Sequence, residues 1–190
     1  MLQSMCDSDI CKLEEESYTN VHISNIRVQG TPSQMWASTM TEEPSIWKNF
    51  QYNVCGCYVE KLPVMEVNEK KVSKSFTNFE KALEFHNLLK NIKCRRRSCP
   101  GSCELLNVPN SHLFIEFKKA RKCSLHQLPT TIVIECTFRL AGVITRENNR
   151  YVVYCLLDGL WSLYDNNCTV IPTPPVVDIE LLCMIYILES

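Results

Sequence analysis

Five of the twelve cysteines in this 190-residue sequence fall into two groups that could do chemistry together. Cys55-Gly-Cys57 sits at a tight turn, and Cys94, Cys99 and Cys103 surround a basic loop. Soft, charged thiolates suit the tetrahedral shell of Zn²⁺, and pairs of them on facing turns can supply it. Cys55 and Cys57 would give one pair, and two of Cys94, Cys99 and Cys103 the other. The gaps are C-x-C on one side and C-x4-C-x3-C on the other, rather than the two-residue gaps typical of zinc turns. The alternative is a set of free thiols in strand turns, since cysteine is among the most buried residue types.

A second group lies in Arg146-Glu-Asn-Asn-Arg-Tyr-Val-Val-Tyr-Cys-Leu-Leu-Asp-Gly-Leu-Trp-Ser-Leu-Tyr-Asp165, which reads as two paired strands with the second ending at a carboxylate. Such a hairpin commonly mounts a histidine and the acid that orients it. Arg150 stands where the histidine would. A guanidinium with a pKa above about 12 keeps its proton at neutral pH and cannot serve as a base. Asp165 ends the second strand, and an Arg150–Asp165 ion pair or a solvated Arg150 are the two structural expectations. His22, His86, His112 and His126 read as surface or hydrogen-bonded core residues, because none has a cysteine and an acid at matching places. Arg95, Arg96 and Arg97 could hold phosphates, but no aromatic residue interleaves with them.

The composition sets the frame for these groups. Hydrophobic residues make up 45% of the chain and charged ones 22%, with a net charge of -1. This is a globular balance with no overall field favouring nucleic acid or membrane. The polar start, MLQSMCDSDICKLEEE, has no signal-peptide core, and no apolar run reaches the roughly eighteen residues that span a bilayer. The expected setting is therefore a reducing intracellular one, where thiols stay free or bind metal.

Residues 1–20 read as a mobile polar tail and 21–190 as one domain. Val21–Val28 alternates as a strand, while residues 33–50 carry no assignable pattern. Phe50–Asn68 reads as strand, turn at Cys55–Cys57, and a second strand broken at Pro63. Asn78–Lys90 has apolar residues at 79, 82, 83, 85, 88 and 89, spacing that predicts a helix capped by Asn78. Ser111–Phe117, Thr131–Glu135, Phe138–Ile144, Tyr151–Leu156, Trp161–Tyr164 and Ile179–Leu188 read as strands. One helix and a run of antiparallel strands imply an α+β domain.

This order of elements resembles the ubiquitin-specific protease fold: a strand pair bearing cysteines, a helix, a second cysteine turn, then the strand Val108–Phe117. Cys136–Ile144 resembles the strand before that family's catalytic histidine, and the Arg146–Asp165 hairpin resembles the one that carries it. The nearest branch is the ubiquitin-specific-peptidase-like SUMO isopeptidase, with its x-x-Asn-Asn-His-aromatic step and Gly-x-Trp before the acid. The resemblance covers residues 47–190. It implies a papain-like cysteine-protease architecture, with fingers at about 50–105 and a palm at about 106–190. The family cleaves the isopeptide bond after the terminal Gly-Gly of SUMO or ubiquitin, using a cysteine thiolate, a histidine and an orienting Asp or Asn. By this resemblance Asp165, with Asn166 beside it, matches the orienting acid, and the histidine position is Arg150. The family's Asn-x-x-Cys-Trp stretch is echoed only by Gln29–Ser38, which has no cysteine. Fewer than fifty residues precede Trp47, which implies an incomplete helical thumb.

Three functions follow as expectations. The first is a non-catalytic isopeptidase-like protein that contacts SUMO, ubiquitin or another protein, nuclear by resemblance. The second is a fragment or isoform of an active SUMO-specific cysteine isopeptidase. The third is a zinc-stabilised adaptor with RNA affinity.

Overall fold

The structure, a computed structural model, describes residues 11–18, 21–28, 30–72, 76–94, 99–148, 150–164 and 170–189. Strands β1 (Cys11–Tyr18) and β2 (Val21–Val28) form a two-stranded antiparallel sheet of their own. Two larger sheets hold most of the remainder.

The small sheet has four strands: β3 (Ile46–Tyr52), β4 (Gly56–Leu62), β6 (Leu88–Lys93) and β7 (Ser102–Pro109), in the order β4-β3-β7-β6. The large sheet has eight strands. They are β5 (Met65–Glu66), β8 (His112–Ser124), β9 (Thr131–Ile134), β10 (Cys136–Glu147), β11 (Arg150–Leu157), β12 (Leu160–Tyr164), β13 (Val170–Thr173) and β14 (Asp178–Leu188). Their order is β13-β12-β11-β10-β14-β8-β5, and β9 also pairs with β10. All large-sheet pairings are antiparallel except β5 with β8.

The large sheet is built by period-two alternation. Met65, Ile115, Met184, Val143, Tyr154 and Leu163 are successive cross-strand partners and so project to one side. The first five are buried. Burying side chains of this size is worth about 1.5–3 kcal/mol each. Phe76, Phe79, Ala82, Leu83, Leu125 and Leu128 close over that side from the connecting segments. Gly142 lies at a register shift in β10, where an added Cβ would meet the Tyr154 carbonyl oxygen at 2.7 Å, so a larger residue would push β11 away.

The opposite side of the large sheet carries α1 (Pro32–Thr39). Thr31 and Gln34 cap it reciprocally, and Pro32 pre-sets its first turn. Trp36 stacks on Phe114 with ring centroids 4.7 Å apart and meets the His112 ring edge-on at 5.3 Å. Ser33 Oγ donates to the Glu116 carboxylate.

The two sheets are joined at Ser45. Its fully buried hydroxyl donates to Pro63 O at 2.6 Å and accepts from Phe114 N at 2.9 Å, while its carbonyl accepts from Asn110 N at 3.0 Å. β7 runs through Asn110 and Ser111 straight into β8.

Two elements differ from the sequence-based expectation: Cys11–Tyr18, expected within a mobile polar tail, forms β1 by backbone pairing with β2, and the second is a helix. The helix expected at Asn78–Lys90 is a single turn, α2 (Phe79–Ala82), and Leu88–Lys93 is a strand. Asn78 takes a left-handed conformation and makes no side-chain cap bond, and Glu84 is left-handed too. The apolar residues therefore serve two partners. Phe79, Ala82 and Leu83 enter the large core, whereas Leu88 and Leu89 pair with Leu106 and Leu105 of β7. Pairing at a sheet edge overrides helical spacing. His86 accordingly lies between elements, where its carbonyl accepts from Asn107 Nδ2 at 2.6 Å.

Candidate functional site

The far end of the small sheet gathers three of the five candidate thiols. Cys55 lies in the β3–β4 turn, and Cys94 and Cys99 bracket the loop between β6 and β7. The Cys55 Sγ stands 3.3 Å from that of Cys99 and 3.9 Å from that of Cys94, and all three sulfurs lie within 4.8 Å of one another. Sulfurs bound at about 2.3 Å to a tetrahedral Zn²⁺ would be roughly 3.8 Å apart, so these three can supply three of the four corners of such a shell. The Gly101 amide donates to Cys99 Sγ at 3.4 Å, a bond suited to a sulfur carrying negative charge.

Backbone and side-chain bonds hold the two turns together. Asn53 N donates to Ser102 O at 3.2 Å, and Ser102 N donates to Asn53 Oδ1 at 3.1 Å. Gly101 is required by this approach, because a Cβ there would sit 2.7 Å from Asn53 Oδ1. The Cys55 thiol is pushed up to about 11, first by the Cys99 thiol beside it, then by burial and by Cys94. Clustered thiols resist ionising together, and a bound cation reverses that preference. A zinc ion held by Cys55, Cys94 and Cys99 would supply a structural cross-link.

Cys57 and Cys103 stand apart from this cluster. Cys57 is exposed on β4, and Cys103 is buried in β7 with Phe50 and Leu105. Alternation along the strands accounts for both placements. Arg95, Arg96 and Arg97 lie outside the described residues.

The β10–β11–β12 meander forms as the sequence implies. Arg150 is exposed at the first position of β11, its Cα opposite Glu147 of β10. The Glu147 carboxylate accepts from Tyr154 Oη at 2.7 Å. Burial, reinforced by Glu147, raises the Tyr154 phenol well above its usual range. Asp165 and Asn166, expected beyond β12, lie outside the described residues.

Beside this hairpin an open cleft of about 580 Å³ is lined by residues including Lys122, Cys123, Arg146, Glu147, Asp178 and Glu180. Its thiol, Cys123, is buried and pushed up to about 11, chiefly by burial. Burial also pushes Cys183 up to about 12 and raises Cys155. An activated nucleophile needs the reverse shift. His112 is buried on β8, with its Nε2 unpaired and its pKa lowered by burial. His126 lies in the turn Leu125–Gln127. Neither histidine is on the hairpin.

The small sheet also presents apolar side chains to solvent. Val59, Asn49, Leu106 and Leu88 are successive cross-strand partners, as are Lys61, Trp47 and Val108 in the next row. Val59, Leu88, Leu106 and Val108 are all exposed. Among the described residues no helix is long and apolar enough to cross a membrane.

Reciprocal Thr31–Gln34 capping after Gly30 was the sequence signal that could have revealed α1.

No family profile matches the sequence, and no curated protein matches it. Several solved structures are similar at low identity. The SAGA Ubp8/Sgf11/Sus1/Sgf73 DUB module shares 14% identity over 84% of this chain and 43% of its own, with a TM-score of 0.47. The Saccharomyces cerevisiae PAN2 pseudoubiquitin-hydrolase-RNase module shares 13% over 76% and 31%, with a TM-score of 0.42. The MERS coronavirus papain-like protease shares 13% over 76% and 40%, with a TM-score of 0.38. The chain thus spans less than half the length of each of these structures. At these values no residue's role passes from them to this protein.

Proposed function

We propose that this protein is a non-catalytic relative of the ubiquitin and SUMO isopeptidases that works by binding a modifier or another protein. In this reading the large sheet is the palm and the small sheet the fingers. The observation that carries it is Arg150, a permanently cationic side chain at the hairpin position where a proton-accepting imidazole would be required. The exposed row of Val59, Leu106 and Leu88 gives the small sheet an apolar face of the kind that protein partners cover. A nuclear setting belongs to the same proposal.

The test is a pulldown of the full chain against free ubiquitin and free SUMO, paired with ubiquitin-propargylamide and SUMO-vinylsulfone probes. Binding without covalent labelling is the expected result, and Leu106→Asp should weaken it at least tenfold. Labelling at any cysteine would overturn the non-catalytic reading.

The converging thiols favour a second component, a structural zinc ion at Cys55, Cys94 and Cys99. Metal analysis of the purified chain should give one equivalent of zinc.

A further inference from the structure

We propose that Cys55 and Cys99 are a thiol modification site, oxidised by a hydroperoxide to a disulfide that replaces a metal ion as the clamp between the two tips of the small sheet. The metal half of this statement rests on the zinc reading above; the disulfide half rests on the sulfurs alone. Cys55 and Cys99 come from turns forty-four positions apart, yet their sulfurs are 3.3 Å apart, closer than Cys55 is to Cys94 at 3.9 Å. Both are partly exposed, whereas Cys94 is buried, so an oxidant reaches the first two more readily.

The chemistry closes with the peroxide as the only oxidant. A Cys99 thiolate attacks one peroxide oxygen, the O–O bond breaks, and the sulfur becomes a sulfenic acid as hydroxide takes a proton to leave as water. The Gly101 amide donates to the same Cys99 Sγ at 3.4 Å and so fixes its position beside Cys55. The Cys55 sulfur then attacks the Cys99 sulfur, the S–O bond breaks, and a second water leaves. Two thiols and one H2O2 become one disulfide and two waters. Two sulfurs of the cluster are thereby removed as thiolate ligands, and a single remaining Cys94 cannot hold zinc. The tips are therefore clamped by metal or by sulfur, and only in the reduced, metal-free state are the Asn53–Ser102 hydrogen bonds left to hold them.

Other thiols fit this role less well. Cys123 and Cys183 are buried in or beside the large sheet, and Cys57 faces solvent away from the cluster.

The test uses the full chain in three states: as purified, metal-free and reduced, and metal-free after one equivalent of hydrogen peroxide. Non-reducing peptide mapping of the third state should find Cys55 linked to Cys99, with an intact mass two hydrogens lower that dithiothreitol restores. Limited proteolysis within residues 53–56 should be at least tenfold faster in the reduced metal-free state than in the other two. Cys57→Ser should leave the cross-link intact, and Cys99→Ser should abolish it. A first-formed disulfide through Cys57, Cys94 or Cys103, or none at all, would overturn the proposal. The cross-link in a chain that purifies without zinc would sustain the sulfur site and remove the metal reading. Stoichiometric zinc with no cross-link would do the reverse.

Discussion

The large and small sheets are built from similar strands but held by different physics. Among the described residues, the core tied to the large sheet contains twenty-four buried ones, including Leu113, Ile115, Met184 and Tyr186 with no appreciable exposure. The small sheet's own cluster contains three of the described residues, Phe50, Cys103 and Leu105. Three buried side chains are too few to fix four strands by hydrophobic burial alone. The small sheet instead has its junction at Ser45 and, at its opposite end, a thiol cluster that would cross-link it if the proposed zinc ion is bound. Cys55, Cys94 and Cys99 thus gather at the end of the molecule where the apolar core runs out.

The largest effect should come from removing the zinc ion proposed at Cys55, Cys94 and Cys99. Chelation should lower amide protection in β3, β4, β6 and β7 at least a hundredfold while leaving β8, β10 and β14 unchanged, read by hydrogen exchange. Structural zinc contributes roughly 10–16 kcal/mol in small zinc domains, so even a fraction of that suffices. Uniform loss across both sheets would break the contrast.

Core truncations should sharpen it. Leu113→Ala should destabilise global unfolding by about 2–5 kcal/mol, whereas Leu105→Ala should loosen the small sheet with little change in the main transition. Chemical denaturation of both variants, followed by exchange of individual strands, separates the outcomes.

Tyr186 offers a smaller, polar test within the large core. Its hydroxyl donates to Pro129 O at 2.7 Å from a fully buried ring. Tyr186→Phe should cost about 1 kcal/mol, and a neutral result in the melting curve would deny the bond a role.

The smallest expected effect concerns pH. Burial lowers the His112 pKa below its usual 6.5 in the folded state. The unfolded chain then binds the proton more readily, so stability is full above about pH 6.5 and falls as pH drops below it. His112→Phe should flatten that part of the stability curve. A wild-type curve already flat between pH 7 and 5.5 would refute the assignment.

How far the sequence disclosed this arrangement depended on which interaction decided each element. β8, β10, β11, β12 and β14 were legible because their apolar residues alternate toward one deep core. Leu88 and Leu89 misled because their spacing also suits a helix, and only the unpaired edge of β7 selects the strand. α1 hid among polar residues because its signal is capping rather than periodicity. The cysteines were legible as a group but not individually. Spacing cannot say that Cys103 turns inward beside Phe50 while Cys99 turns toward Cys55. Arg150 was singled out by resemblance rather than by pattern, and the structure sets it at the first position of β11, opposite Glu147 of β10.

The four strands of the small sheet all enter or leave at the Ser45 end, and both thiol-bearing turns lie at the other. Their lengths are therefore coupled. Two extra residues in β3 alone would carry Cys55 about 7 Å past Cys94 and Cys99. Only matched insertions in both hairpins would keep the sulfurs in reach, so this arm can lengthen or shorten in step but not one strand at a time.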